Sequence, residues 1–240
     1  ARKKYKRELK WVIDKLYTHK MIRRASALHA SGESEKMEFL KMGSNSKKIF
    51  RIDPTVVKEN FEIKKRTNIL NRLNIDKNNK PYILFLSRIH KKKGIEVLLQ
   101  AFAKLNSKNI SLIIAGTGEE KYTKKIQELV KKLKLENSVK LAGYVIGDEK
   151  LQLLESAKMF VLPSYSDVHP ASITEAIMMR TPTLITKNCD YQEVEEYKVG
   201  KIVESTVNSF HEGLKEMLKD DKKLAEFSVN SKKLIEEKFD

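Results

Sequence analysis

Four charged side chains carry the strongest chemical signal in this 240-residue sequence. Arg88 and Lys93 stand five residues apart in Ser87-Arg88-Ile89-His90-Lys91-Lys92-Lys93-Gly94. Asp167 and Glu175 stand eight apart in Pro163-Ser164-Tyr165-Ser166-Asp167-Val168-His169-Pro170-Ala171-Ser172-Ile173-Thr174-Glu175-Ala176. An Arg and a Lys on a loop entering a helix can converge on one anion, and the helix N-terminus adds its own positive potential. A carboxylate at a helix start can accept two hydrogen bonds from a vicinal diol, as on a ribose. The amides of Ala171, Ser172 and Ile173 would be the unpaired N–H groups of that helix. In Ala115-Gly116-Thr117-Gly118-Glu119, Gly116 lets backbone approach a ligand closely, but the third glycine of a dinucleotide fingerprint is missing. Each piece has a plainer reading when taken singly: a solvated lysine loop, or carboxylates that cap a helix and pair with its dipole. Together they describe a nucleotide diphosphate site. No Asp-x-Asp triplet and no His/carboxylate cluster offers a metal or another cofactor a place, so protein cations must meet the diphosphate charge.

The elements that position these residues follow from hydrophobic pattern. Short continuous apolar runs at Tyr82–Leu86, Leu112–Ala115, Val139–Leu141, Met159–Leu162, Thr183–Ile185 and Ile202–Val203 read as buried strands. Helical patterns at 95–106, 119–134, 148–157, 173–180, 208–219 and 221–238 fall between or after them. That alternation predicts parallel βαβ units and a Rossmann-like, doubly wound α/β sheet, whose ligand sits at the carboxyl ends of the strands. Upstream, Ala25–Ala30 and Lys48–Ile52 read as short strands flanking a helix capped by Ser31 and stopped at Gly43. Residues 54–77 are polar and Asn-rich, and read as a linker with one helical stretch around 63–73. The expected organisation is therefore 1–53, a linker at 54–77, and a nucleotide-binding lobe at 78–240.

Composition bounds the partners. With 40% apolar and 33% charged residues a buried core is feasible. No run approaches the ~18 apolar residues of a membrane span, and no secretory leader is legible. A lone Cys189 excludes an internal disulfide framework and a multi-thiolate zinc site, which fits a cytoplasmic setting. The formal charge of +16 comes from 48 basic residues, of which 39 are Lys, against 32 acidic ones. Nucleic-acid readers rely more on clustered Arg and stacking aromatics, so no nucleic-acid partner is expected and solvated lysine faces account for the charge. Residues 1–24 hold ten basic side chains with Tyr5, Leu9, Val12 and Leu16 at helical spacing and Trp11 alongside. That segment either packs on a domain or lies peripherally on an anionic membrane face.

Read in order, Ser87-Arg88…Lys93-Gly94, Ala115-Gly116-Thr117-Gly118, Leu141-Ala142-Gly143-Tyr144-Val145, Pro163-Ser164 and Asp167…Glu175-Ala176 resemble the carboxyl-terminal, donor-binding lobe of retaining GT-B glycosyltransferases of family four, group 1. Thr181-Pro182-Thr183 and Glu193…Gly200-Lys201-Ile202-Val203 continue the likeness, which covers about 80–240 and, more weakly, 25–61. The resemblance implies metal-independent transfer from a nucleotide-diphospho-sugar to a glycan, lipid-linked or other acceptor. Arg88 and Lys93 would neutralise the diphosphate, Glu175 would hold the ribose, Asp167 would contact the sugar, and backbone near Tyr144 and Val145 would meet the base.

Departures from the family pattern frame the expectations. Asp167 stands where a Glu is usual, and Val168-His169-Pro170 replaces a glycine-rich stretch. Pro170 offers no N–H; His169 is read either as a substitute side-chain donor or as an ordinary loop histidine. Pro54-Thr55 stands in for the Asn-Gly hinge. Residues 1–53 correspond to only the last helix, strand, helix and strand of the acceptor lobe, so the sequence reads as an incomplete chain, inactive alone. A non-catalytic nucleotide-sugar-binding module is the alternative, and a basic nucleic-acid-binding domain a third.

Overall fold

The computed structural model describes residues 17–52, 56–75 and 81–239. The basic stripe at Tyr5, Leu9, Trp11, Val12 and Leu16 and the Pro54-Thr55 hinge positions lie outside those residues. The chain divides into two compact units, Ala1–Pro54 and Thr55–Asp240.

In the first unit, α1 (His19–Arg24), β1 (Leu28–Ala30), α2 (Glu33–Lys41) and β2 (Ile49–Arg51) follow in order, and β1 and β2 pair in parallel with Leu28 opposite Ile49. The cap of α2 differs from expectation. Ser31 does not cap it through its hydroxyl; its amide donates to the Glu35 carboxylate at 2.8 Å, a contact that likewise satisfies an orphan N–H. Gly43, at φ +90°, follows the helix in a conformation that other residues rarely adopt.

The second unit is built on six parallel strands: β3 (Tyr82–Leu86), β4 (Ser111–Ala115), β5 (Val139–Gly143), β6 (Met159–Leu162), β7 (Thr183–Thr186) and β8 (Gly200–Val203). Their order is β5-β4-β3-β6-β7-β8, so the direction of winding reverses between β3 and β6. Every residue of β3, β4 and β6 is buried, which explains why these strands read as unbroken apolar runs: helices cover both faces. The covering helices are α4 (Ile95–Leu105), α5 (Glu120–Lys132), α6 (Gly147–Ser156), α7 (Ala171–Met178), α9 (Val207–Lys219) and α10 (Asp221–Lys238), with a single-turn α8 at Glu193–Glu196. Helix α4 shows the logic: Ile95, Leu98, Leu99 and Phe102 recur at helical spacing and are buried, and Asn106 ends the helix in the left-handed region. A buried polar group within this core finds its partner there: the Tyr82 hydroxyl donates to the Leu153 carbonyl at 2.7 Å.

Residues 58–73 are not a free linker. A 3-10 turn (Lys58–Phe61) and a single-turn α3 (Ile69–Arg72) replace the expected helix, and the stretch is fastened to α6. The Lys64 and Lys65 amides donate to the two Asp148 carboxylate oxygens at 3.1 and 3.0 Å. Thr67 donates through both its amide and its hydroxyl to Gln152 Oε1, and Arg72 pairs in a fork with Glu149 at 2.8 and 3.1 Å. Ile69 is fully buried in the main core. Backbone without its own ladder must find partners, and here side chains of α6 supply them.

Two close approaches fix the strand ends. Gly94 has φ +67°, and a Cβ there would lie 1.9 Å from the Pro163 carbonyl oxygen. At Gly116 a Cβ would lie 1.9 Å from the Ser87 carbonyl oxygen. The lack of a side chain at Gly116 therefore serves the packing of neighbouring strand ends. Gly94→Ala combines a left-handed backbone with a backbone clash and should cost at least about 2 kcal/mol. Thermal denaturation should show a melting temperature lower by roughly 4–8 °C for a unit of this size.

Candidate functional site

The reversal between β3 and β6 is where an open parallel sheet leaves a crevice for a ligand. Two loops meet there. Residues 87–94 leave β3 and contain a 3-10 turn at Lys91–Lys93; residues 163–170 leave β6 and lead into α7. Backbone joins them: the Lys92 carbonyl accepts from the Tyr165 amide and from the Ser164 hydroxyl, both at 2.8 Å. A third loop adds support, since the Asp167 amide donates to the Asn188 carbonyl at 2.9 Å, beyond β7.

Lys93 and Asp167 close the junction. Lys93 Nζ lies 2.8 Å from each Asp167 oxygen, and the two side chains retain 10% and 19% of their exposure. An ion pair so far removed from water is held in one geometry. The sequence paired Lys93 with Arg88; the structure pairs it with Asp167 instead. Arg88 is exposed and makes no hydrogen bond or ion pair among the described residues, as is true of the Lys91 and Lys92 side chains, so this loop carries positive charge that only Lys93 has neutralised.

Helix α7 presents a smaller donor set than the sequence suggested. The Ile173 amide donates to the Pro170 carbonyl at 2.9 Å, and the Ile173 side chain is buried. The amides of Ala171 and Ser172 make no such bond among the described residues. Glu175, one turn further, is half-buried and receives Lys150 Nζ at 2.8 Å on Oε1. Lys150 is a residue that sequence reasoning missed. It follows two acids at the start of α6, where nothing in the spacing marks it as a partner for a residue 25 positions away.

His169 does not serve as an open side-chain donor. Its ring is 4% exposed, lies against the Tyr191 ring at a 34° tilt with centroids 4.4 Å apart, and places Nε2 3.5 Å from Glu193. Its backbone has φ +43°, which turns the side chain inward. Tyr191 in turn shares a hydrogen bond with Thr174 at 3.0 Å, so the histidine ties its loop to α7 and α8.

On the other side of β3, the loop predicted to meet a base is shaped by an irregularity. Ile114 lies opposite Leu141, but Ala115 lies opposite Gly143, so β5 carries one extra residue at its end. Such a bulge re-aims the chain that follows. Gly143 and Gly147, both in the left-handed region, bracket the turn. Tyr144 is 70% exposed and Val145 is buried. A groove of about 480 Å³ beside this turn is lined by Ile89, Gly116, Thr117, Leu141 and Gly143, among others. Among the described residues no three His, Cys, Asp or Glu side chains stand together as a metal site would require, and no helix is long and apolar enough to cross a membrane.

Residues 66–234 match the family described as glycosyl transferases group 1, and the chain belongs to that family. An uncharacterized glycosyltransferase of Methanocaldococcus jannaschii is 31% identical over 121 residues, half of this chain and 30% of that protein. A 2-deoxystreptamine N-acetyl-D-glucosaminyltransferase of Niallia circulans is 27% identical over 119 residues, 49% of this chain and 30% of that protein. The Anabaena protein HepE, in its crystal structure with UDP-glucose, superposes with a TM-score of 0.78 at 21% identity, covering 92% of this chain and 61% of that one. A glycosyltransferase of Rickettsia africae superposes with a TM-score of 0.82 at 18% identity, covering 94% and 62%. The chain thus spans less than a third of the two curated relatives and under two thirds of the two structures.

The Lys93–Asp167 pair carries a direct energetic expectation. Lys93→Met and Asp167→Asn, singly and together, should show a coupling of about 1–3 kcal/mol in a double-mutant cycle by urea denaturation, the double variant losing less than the sum of the two.

Proposed function

We propose that residues 78–240 form the donor-binding lobe of a retaining, metal-independent glycosyltransferase of family four, which moves a sugar from a nucleotide-diphospho-sugar to a glycan or lipid-linked acceptor in the cytoplasm. The observation that carries this reading is the junction at the winding reversal, where a loop with an uncompensated Arg88 is locked to the loop that leads into α7. The nucleotide complex of the similar Anabaena protein supports the donor class.

The chemistry follows from charge. Departure of the nucleoside diphosphate places negative charge on its β-phosphate oxygens. Arg88 and the open amides of Ala171 and Ser172 are the groups suited to meet it, with Lys93 pre-positioned by Asp167. Donors fixed before the bond breaks stabilise the transition state more than the ground state, and each typically contributes ~10²–10³ in rate. Glu175 is the acceptor for the ribose diol. The turn at Tyr144 and Val145, with the groove beside it, is the bed for the base.

A second reading, a nucleotide-sugar-binding module without transfer, is favoured by one observation: Asp167 is committed to Lys93, which leaves less of it for a sugar. The two readings separate in a chain carrying both lobes. Arg88→Ala and Glu175→Gln should lower transfer by about 10²–10³ while circular dichroism and melting stay close to wild type. Wild-type turnover by both variants rejects the catalytic assignment, and donor binding without transfer or donor hydrolysis by the wild type establishes the module. A panel of uridine, guanosine and adenosine diphosphates should include one that raises stability by ~3 kcal/mol at a hundredfold excess over its Kd.

A further inference from the structure

The first turn of helix α6 carries Asp148, Glu149 and Lys150, and the first two have partners in residues 64–72. Asp148 accepts the Lys64 and Lys65 amides, and Glu149 holds Arg72. Lys150 points to the other neighbour, α7, with its ammonium on Glu175 Oε1. The pair retains 27% and 22% of its side-chain exposure.

Stability alone is a weak reason for such a contact. A partly exposed Lys–Glu pair contributes at most about 1 kcal/mol, and ordering two long side chains opposes it. Geometry gives a better reason. A carboxylate has two oxygens and about four lone-pair sites. Lys150 occupies one site on Oε1 and restrains a side chain with three torsions, which leaves Oε2 available to accept from a ligand. It also offsets the charge of a carboxylate that would otherwise repel a nearby diphosphate. The fastening of α6 by residues 64–72 keeps the Lys150 backbone in place.

We propose that Lys150 is the positioning residue for Glu175, holding one carboxylate oxygen so that the other is presented to the ribose diol, and that discrimination for ribose over deoxyribose in this site depends on it. The inference rests on the donor-site reading above and adds to it a residue outside the recognised motifs.

The test uses the full chain and calorimetric binding of two probes, uridine diphosphate and its 2′,3′-dideoxy analogue, with the guanosine and adenosine pairs run in parallel. Wild type should prefer the ribose form by about tenfold or more, the worth of one charge-assisted hydrogen bond. Lys150→Met should bring the two forms within about threefold by weakening the ribose form while leaving the dideoxy form nearly unchanged; Lys150→Arg should restore most of the preference. A merely structural role would weaken both probes together and leave their ratio intact. If the wild type prefers ribose and Lys150→Met retains that preference, this inference falls while the donor-site reading stands. If no nucleoside diphosphate binds the wild type, both fall. Melting curves of Lys150→Met and Lys150→Arg confirm that a changed ratio is read on folded protein.

Discussion

The reversal of winding between β3 and β6 is the constraint on which the rest of this unit depends. Parallel strands on either side of that point send their following loops in opposite directions, and a crevice opens between them. Left alone, such loops would be mobile. Here Gly94 lies against the Pro163 carbonyl, the Lys92 carbonyl takes two hydrogen bonds from the opposing loop, and Lys93 closes on Asp167. The ion pair is secure because the backbone around it has already been brought together. Removing either charge would leave the other stranded with little water to solvate it.

The same arrangement redistributes charge among residues that look equivalent in sequence. Arg88 and three consecutive lysines form one basic run, yet the third lysine is buried and neutralised while Arg88 stays open to solvent. Glu175 is half-buried and tethered, and His169 is turned into the interior. Each of the four charged positions now has a distinct part: Arg88 open, Lys93 and Asp167 mutually fixed, Glu175 held from behind.

Most of the sheet was legible because strands buried on both faces are mostly apolar: β3 and β6 are so throughout, and β4 after its buried first residue, Ser111. Helix α4 was legible from its spacing. Residues 58–73 were not, since their order comes from carboxylates and amides on α6 more than 75 positions away, and local polarity imitates a loop. The sequence does not show the Ser87 carbonyl that lies against Gly116. The resemblance points to Lys93, Asp167 and Glu175 but not to the partners that Lys93 and Glu175 have in the structure. Which side chain a lysine meets is decided by tertiary geometry, as Lys150 shows.

The clasp between residues 64–72 and helix α6 bears on how this polypeptide can be dissected. The family match begins at residue 66, and the first strand of the large sheet at residue 82, so either position looks like a natural place to cut. A fragment trimmed at the strand would strip Asp148, Glu149 and Gln152 of their counterparts and empty the space filled by Ile69. The helix carrying Lys150 would then lose its outer support. A recombinant piece meant to keep this lobe intact must retain the polypeptide from upstream of Lys58.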